Sequence, residues 1–426
     1  MRIVIGTQGL ATPAGTEKYV CLVARELQLL GHATVIAAEE LGPMADHAES
    51  QALVVVRTAA DLPAGCDAIL ANDASSAAML AARYPSARLV HVAHSDVFDH
   101  QAPVLVPGVT DAVVACSDRM AARMEALALN APVVRLRLPV VLDRLLGTGP
   151  LPDRPRRAVI VSNYLAGDRR RALVDAWQAR GVTCAQIGVP TQPLLDPGPA
   201  MRDADIVVAK AGAALEGMAA ERAVYVYDQF GGDGWVTPEN YEAFEADNLA
   251  GLASPRPRTP AQIAADLDAY HPDMGWLNGE LVRAHHEPRK HARQLVELLR
   301  GPHAGGDVPA SVLSEVARLT RVAWSANRSA LAIQLELAAL RERALAAESE
   351  LPALRKRIDA AESEVTVWRE RLATAEAQLA ESARVQAELG SVRRELRTAN
   401  ELLATSRVRT GLAAGRVLDR LRRPRH

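Results

Sequence analysis

Short apolar runs that alternate with stretches of helical composition constrain the fold of this chain more than any other feature. The runs Ile3–Ile5, Thr34–Ala37, Leu53–Val56, Ala68–Leu70, Arg88–Val92, Ala112–Ala115 and Val133–Leu136 are each too short for a helix. Amphipathic segments such as Glu17–Leu30 and Ser75–Arg83 lie between several of them. That alternation predicts a parallel sheet with helices on both faces. The Pro-rich polar stretch GTGPLPDRPRR, Gly147–Arg157, reads as a linker, and then the pattern starts again. A strand is expected at Ala158–Val161, a helix at Arg169–Arg180, a strand at Thr183–Ile187 and a helix near Thr259–Tyr270. The fold class is therefore α/β, with Rossmann-like domains at 1–146 and 158–300 facing a cleft.

A different pattern follows the loop GPHAGGDVPA at 301–310. Leu337, Ala344, Leu351, Ile358, Val365, Leu372 and Leu379 form one seven-residue series, and Leu340, Ala347, Leu354, Ala361, Trp368 and Ala375 form the other. Such heptads, with Arg and Glu between them, predict a long α-helical coiled coil over 311–408 and a homo-oligomer formed through it. The register slips after Ser382, where the series continues as Val385, Leu389, Val392, Leu396, Ala399 and Leu403. Pro352 removes a helical donor and is expected to kink or interrupt the rod. The end, 409–426, sets Leu412, Val417, Leu418 and Leu421 among arginines. It reads either as a basic amphipathic tail that touches a membrane surface or as a solvated helix.

Composition narrows the function classes. With 49% hydrophobic residues and a net charge of −2 over 426 residues, nothing marks a nucleic-acid binder. The cysteines Cys21, Cys66, Cys116 and Cys184 make no CxxC pair, so neither a disulfide framework nor a zinc site is expected. No apolar run reaches 18 residues and MRIVIGTQGL leads straight into a strand, which predicts a cytoplasmic protein, membrane-peripheral if the tail binds lipid.

The stretch ADIVVAKAGAALEGMAAERAVYVYD, residues 204–228, reads as strand, turn, helix and strand. A turn leading into a helix N-terminus offers unpaired N–H groups and a positive dipole end to a diphosphate. Gly212 allows close approach, Lys210 adds a point charge, and Arg169–Arg171 supply more from the neighbouring loop. Glu216, one turn into the helix, either accepts ribose hydroxyls or only complements the dipole. In the first half Gly6, Gly9 and Gly15 make a flexible loop toward the cleft, and Thr16 and Glu17 open its helix, as contacts or as caps. His94 stands at a strand end, where it contacts a sugar or serves packing. His91 and His94 do not share a strand face, so no metal site is expected from His91, His94 and His100. The loop YDQFGGDGWVTPENY, 227–241, offers Asp228, Asp233 and Trp235 for sugar recognition, since aromatic faces stack on sugars and carboxylates accept from hydroxyls.

Two such halves in this order resemble the two-domain GT-B glycosyltransferases. Local motifs resemble the retaining, nucleotide-sugar-dependent glycosyl transferases group 1 family, typified by sucrose synthase and mannosyltransferases. GTEKYVCLVARELQLLGHATVIAA is similar to the Gly-Thr-Glu helix and the Leu-x-x-x-Gly-His-x-Val that follows it in the family. ARLVHVAHSD places His94 after a strand, AVVACSDRMA is similar to the strand-then-Ser segment, and LPVVLDR keeps Pro139 and Asp143 of the interdomain motif. The family carries two glutamates eight residues apart. Glu216 falls at the second position and Val208 stands at the first. Ala209-Lys210-Ala211-Gly212 resembles the Gly-Lys-Gly-Arg turn of some relatives, with Ala213 in place of the Arg, and Ser162-Asn163 stands where the family has Gly-Arg.

The resemblance implies a sugar transferred from a nucleoside-diphosphate donor to a saccharide or lipid-linked acceptor, with no cofactor and no metal. The residues it singles out are His94 and Glu17 for catalysis and Lys210, Gly212, Glu216, Arg169, Arg170 and Asn163 for the donor. Gly9, Gly15, Thr16, Asp228, Asp233 and Trp235 fall to the acceptor or sugar. The alternative is a non-catalytic glycosyltransferase-like scaffold acting through its coiled coil. A Rossmann dehydrogenase does not fit, because no strand is followed by GxGxxG.

Overall fold

The structure is a computed structural model; it describes residues 1–421 apart from 58–59, 96–97, 143–148, 189–190, 192–193, 230, 255–257 and 304. Asp143 and the start of the linker lie outside the described residues, as do 422–426 of the tail and the side chains of Val417, Leu418 and Leu421.

The first sheet is built of β1 (Arg2–Leu10), β2 (Ala33–Leu41), β3 (Val55–Val56), β4 (Ala68–Ala71), β5 (Arg88–Ala93), β6 (Ala112–Ala115) and β7 (Val133–Arg135), all parallel in the order β3-β2-β1-β4-β5-β6-β7. Helices α1 (Gly15–Leu29), α2 (Pro43–Ser50), α3 (Ala74–Arg83) and α4 (Asp118–Ala126) connect its strands. The strands read as near-continuous apolar runs because both faces are covered. Ile3 and Ile5 pack with Val20 and Leu27 of α1, while Val4 and Ile69 pack with Ala77 and Leu80 of α3. Gly6 and Gly9 are strand residues, since β1 runs on to Leu10; a Cβ on Gly6 would lie 2.7 Å from Leu80 Cδ1. Of the loop read from sequence, Gly6 and Gly9 thus belong to a strand, while Gly15 opens α1.

The second sheet holds β8 (Arg157–Val161), β9 (Thr183–Ile187), β10 (Ile206–Ala209), β11 (Ala223–Tyr227) and β12 (Gly232–Trp235) in the order β12-β11-β10-β8-β9. The last strand is antiparallel to β11 and the others are parallel. Around it lie α5 (Gly167–Gln178), α6 (Gly198–Asp203), α7 (Ala211–Ala219), α8 (Tyr241–Ala246), α9 (Pro260–Asp266) and α10 (Asp273–His285). β12 falls in the stretch that the sequence presents as a sugar-binding loop. Its Trp235 is a core residue: the ring stacks on Trp177 at 6.1 Å and meets Tyr225 edge-on at 5.0 Å, and Nε1 donates to the Asp266 carbonyl at 2.6 Å. Asp233 is likewise committed, its Oδ1 accepting from Ser254 N at 2.7 Å.

Two later segments return to the first half. Helix α11 (Pro288–Leu299), which chain order assigns to the second domain, buries Ala292, Leu295, Val296 and Leu299 in the core beneath α1. Helix α12 (Ala310–Leu421) begins by packing Leu313 and Ala317 against the α3 side of the first sheet, so residues 310–342 belong to the globular unit rather than to the heptad rod. The remainder, from Arg343, forms a unit of its own, in which Leu351, Leu354, Ile358, Val365 and Leu372 are exposed. The helix runs through Pro352 without interruption, so the expected break does not occur. One proline deletes a single i→i−4 bond, and its neighbours in a long helix carry the segment across. Among the described residues no helix is long and apolar enough to cross a membrane.

The chain passes from the first half to the second through residues 136–140, and two histidines hold this crossing. His286 Nδ1 donates to the Leu138 carbonyl at 2.6 Å, and Tyr241 donates to its Nε2 at 2.7 Å. His291 Nδ1 donates to the Arg137 carbonyl at 3.0 Å, and Tyr19 donates to its Nε2 at 2.9 Å. A carbonyl only accepts, so each Nδ1 carries the proton and each Nε2 must stay bare. Burial enforces this, lowering both pKa values from the ordinary 6.5 to about 4. Arg135 and Arg137 add ion pairs to the second half, reaching Glu245 Oε2 at 2.6 and 3.2 Å.

The packing and the crossing each generate an expectation. Trp235→Ala should cost roughly 3–5 kcal/mol in chemical denaturation, as for a large core side chain rather than an exposed one. Because the unfolded chain protonates its histidines near 6.5 and the folded clamp resists to about 4, the clamp's contribution is complete above pH 6.5 and is lost as pH falls. The stability difference between the parent and His286→Gln should therefore shrink by roughly 2–3 kcal/mol between pH 7 and 4.5, measured by denaturation at each pH.

Candidate functional site

Strand order reverses between β1 and β4 in the first sheet and between β8 and β10 in the second. At such switch points the loops leave in opposite directions and open a crevice beyond the carboxyl ends. On the first side that crevice is edged by Gly9, Asn72 and His94, and on the second by Ser162, Asn163 and Lys210.

His94 is held in one tautomer. Asn72 Nδ2 donates to the Gly6 carbonyl at 2.9 Å, which turns Asn72 Oδ1 toward the ring. Nε2 of His94 donates to that oxygen at 2.8 Å, so Nδ1 is the acceptor. Burial, with His91 and His291 nearby, lowers the pKa of His94 to about 3, and the ring stays neutral. Its face meets Tyr19 edge-on at 4.8 Å. Through Tyr19 and His291 the site is therefore continuous with the interdomain clamp.

Glu17 occupies the mouth of the first half. A Cβ on Gly9 would lie 3.9 Å from Glu17 Oε1 and 3.9 Å from the Trp324 ring, so glycine leaves a floor between a carboxyl and an aromatic. Desolvation raises the Glu17 pKa from 4.5 to about 7, with its own backbone hydrogen bond and the charge of Arg328 opposing. Gly15 and Thr16 form the first turn of α1 behind Ala14, and Gly15 has open space around it. Trp324 comes from α12, which also sends Arg321 to Glu39 at 2.9 Å and Arg328 to Glu40. A partly apolar cavity of about 240 Å³ opens beside this edge, lined by Ala37, Ala38, Val56, Leu62 and Met79 with the charged Glu39, Arg57 and Arg321.

On the second side the turn after β10 is strained. Ala211 has φ +49, a left-handed value that costs an alanine roughly 1–2 kcal/mol, while Gly212 keeps an ordinary φ with only Leu138 near its Cβ position, at 3.6 Å. Lys210 holds the N-cap position of α7 without a side-chain cap and pairs with Asp228 Oδ2 at 2.9 Å, its ammonium lying 5.0 Å from the Tyr164 ring centroid. Asp228 is 1% exposed and accepts from Ser162 Oγ at 2.6 Å through its other oxygen, so both oxygens of this buried carboxylate are engaged within the protein. Arg169 donates to the Asp228 carbonyl at 3.1 Å and lies over Tyr227, Arg170 donates to Gln186 at 2.6 Å, and Arg171 pairs with Asp168. Asn163 is half-buried beside Gly188. Val208 lies within β10 and is fully buried in the core.

The two sides meet at Glu216. Both its oxygens accept from Lys18 Nζ, at 2.8 and 2.9 Å, so the carboxylate expected to hold a ribose is bridged across the cleft to α1. Sequence reading passed over Lys18, although it follows Glu17 directly and is one of four lysines in an arginine-rich chain. Trp324 and Arg328 carried no signal at all, because nothing in the heptad-bearing helix announces that its first turns lie on the sheet edge. The histidines 91, 94 and 100 have different partners: His91 bonds the Gln101 carbonyl, His94 bonds Asn72, and His100 accepts from Asn327 and meets Trp324.

No family model matches the chain, and no curated protein matches it. Among solved structures it is similar to Anabaena Alr3699/HepE, crystallised in complex with UDP and glucose and in complex with UDP-glucose. Each comparison gives a TM-score of 0.52 at 12% identity over 70% of this chain and 99% of that one. A glycosyltransferase from Rickettsia africae ESF-5 aligns with a TM-score of 0.48 at 14% identity, over 70% of this chain and 97% of that one. At such identities the likeness is one of fold, and the fold is GT-B: two Rossmann-like domains about a cleft, here followed by a long helix.

Proposed function

We propose that the protein is a glycosyltransferase that moves a sugar from a nucleoside-diphosphate donor to a saccharide or lipid-linked acceptor. The observation that carries this reading is the cleft constellation. The turn and N-terminus of α7 stand beside Glu216 on one side, and neutral His94 and the titratable Glu17 stand on the other. The fold shared with HepE, which binds UDP-glucose, supports it. In this reading the diphosphate lies at the α7 N-terminus, where Ala211 N already donates to the Leu249 carbonyl and the following first-turn N–H groups and the dipole favour negative charge. Glu216 accepts from the ribose hydroxyls, and Nδ1 of His94 accepts from a sugar hydroxyl. The anomeric C–O bond breaks with its electron pair on the diphosphate, and the acceptor oxygen bonds the anomeric carbon. The acceptor's proton passes to Glu17, whose pKa of about 7 suits a base at neutral pH. Gly9 and Trp324 form the acceptor floor, and the partly apolar cavity beside them suits a lipid-linked acceptor.

One observation favours a second reading, a non-catalytic scaffold. Lys210, Arg169 and Arg170 each have an intramolecular contact that restrains them from following a departing diphosphate. Calorimetry against UDP-, GDP- and ADP-sugars tests both. One donor should bind, and Glu216→Ala should weaken it roughly 10–100-fold, as for loss of a charged hydrogen-bonding group. Binding without donor turnover, even to water, would leave the scaffold reading; no binding would remove the transferase.

We further propose that the unit beyond Arg343 pairs with a second copy of itself, because its heptad leucines are otherwise left in water. Sedimentation equilibrium should return twice the chain mass of 45.6 kDa, and Ile358→Asp with Val365→Asp should return one chain.

A further inference from the structure

We infer that Lys18 is a ligand for the diphosphate of a nucleotide, held in reserve on Glu216 and released by the ribose. This rests on the nucleotide-sugar reading above and adds to it a cation from the first half.

The starting point is where each charge near the α7 turn is already committed. Lys210 cannot leave Asp228 cheaply, because that carboxylate is buried and would be stranded without its ammonium. Arg169 is held through Nε by the Asp228 carbonyl and by the Tyr227 face, with its buried Nη2 lacking a hydrogen-bond partner, and Arg170 is held by Gln186. Lys18 differs in kind. Its partner is Glu216, the one carboxylate in the cleft that a ribose would claim for itself. The ammonium touches both oxygens, 2.8 and 2.9 Å away, and so covers the approach that two vicinal hydroxyls would use. When the ribose takes that place, Glu216 keeps its hydrogen bonds and nothing buried is left unpaired. The exchange has no stranded partner on either side.

The released ammonium has a short way to go. Glu216 lies five residues into α7 from Ala211, which at ~1.5 Å per residue is about 7–8 Å from the helix N-terminus. A lysine on its flexible four-carbon stem spans that distance by rotation alone. The side chains of the pair are 31% and 20% exposed, so both groups are reachable from the cleft and partly shielded from water. There the lysine meets the diphosphate together with the α7 N–H groups, as a point charge suited to phosphate. The device makes diphosphate binding conditional on the ribose, and it favours nucleotides over inorganic diphosphate.

The test is calorimetry on full-length protein with UDP, GDP and ADP and the matching nucleosides uridine, guanosine and adenosine. For the base that the parent binds, Lys18→Met should weaken the nucleoside diphosphate by about ten-fold or more, while the nucleoside binds as before or tighter because Glu216 is freed. Lys18→Arg should restore the diphosphate to within about three-fold of the parent. Glu216→Gln should weaken the nucleoside yet keep the extra affinity that the diphosphate confers over it. Nucleoside binding also reports that each lysine variant is folded. If Lys18→Met binds the diphosphate as tightly as the parent or tighter, the lysine only neutralises Glu216 and the inference is overturned. If the parent binds none of the three diphosphates, the nucleotide-sugar reading itself falls and takes Lys18 with it.

Discussion

Two neutral imidazoles set the geometry on which the cleft depends. His286 and His291 each donate an N–H to a carbonyl of the crossing segment and each accept a hydrogen bond from a tyrosine hydroxyl, Tyr241 of the second half and Tyr19 of the first. An imidazolium could not do this, because it has no lone pair to accept with. Burial therefore does more than exclude water: by keeping both rings uncharged it keeps the four hydrogen bonds in a consistent direction. Tyr19 then passes the constraint on to His94, whose ring it meets edge-on, and His94 is fixed in turn through Asn72 on the Gly6 carbonyl. The orientation of the two sheets and the tautomer of the site histidine are thus parts of one network.

Charge in the cleft follows a division of labour. On the second side, Lys210 and Asp228 form a buried pair that shapes the turn before α7, and removing either group would leave the other isolated. On the first side, Glu17 is the carboxyl whose charge is least settled, since desolvation and Arg328 pull its pKa in opposite directions. Between the two sides lies the Lys18–Glu216 bridge, more accessible than the first pair and better compensated than Glu17. A site arranged in this way has a rigid frame and a bridge that a polar ligand can open.

The alternation of apolar runs and helical segments made both sheets legible, because a parallel strand covered on both faces has no choice but to be apolar. Ile206–Ala209 and Ala223–Tyr227 are strands around α7 as the pattern requires. The stretch 227–241 misled for a physical reason. Glycines with Asp and Trp are the composition of a recognition loop, yet Trp235 has Trp177, Tyr225 and Tyr270 to pack against, and that contact turned the segment into an edge strand. Residues 288–299 and 310–328 misled differently. Their local sequence is helical in either domain, and only a buried face of Leu295, Leu299, Leu313 and Ala317 against the first sheet decides where they belong.

By itself the sequence determined the period of every main element, the two repeats of α/β alternation, the heptad face and the chemistry available at each strand end. Those are local properties, set by side-chain spacing along one element. Which groups face each other was decided by the tertiary structure alone. Lys18 and Glu216 are 198 residues apart, and nothing in either neighbourhood specifies the other. Their meeting depends on where the clamped crossing segment sets the second sheet, whereas Trp324 reaches Gly9 because the start of α12 packs on the first sheet. Partner choice across a cleft is a property of how two cores are docked, and docking is fixed by buried contacts far from the residues it brings together.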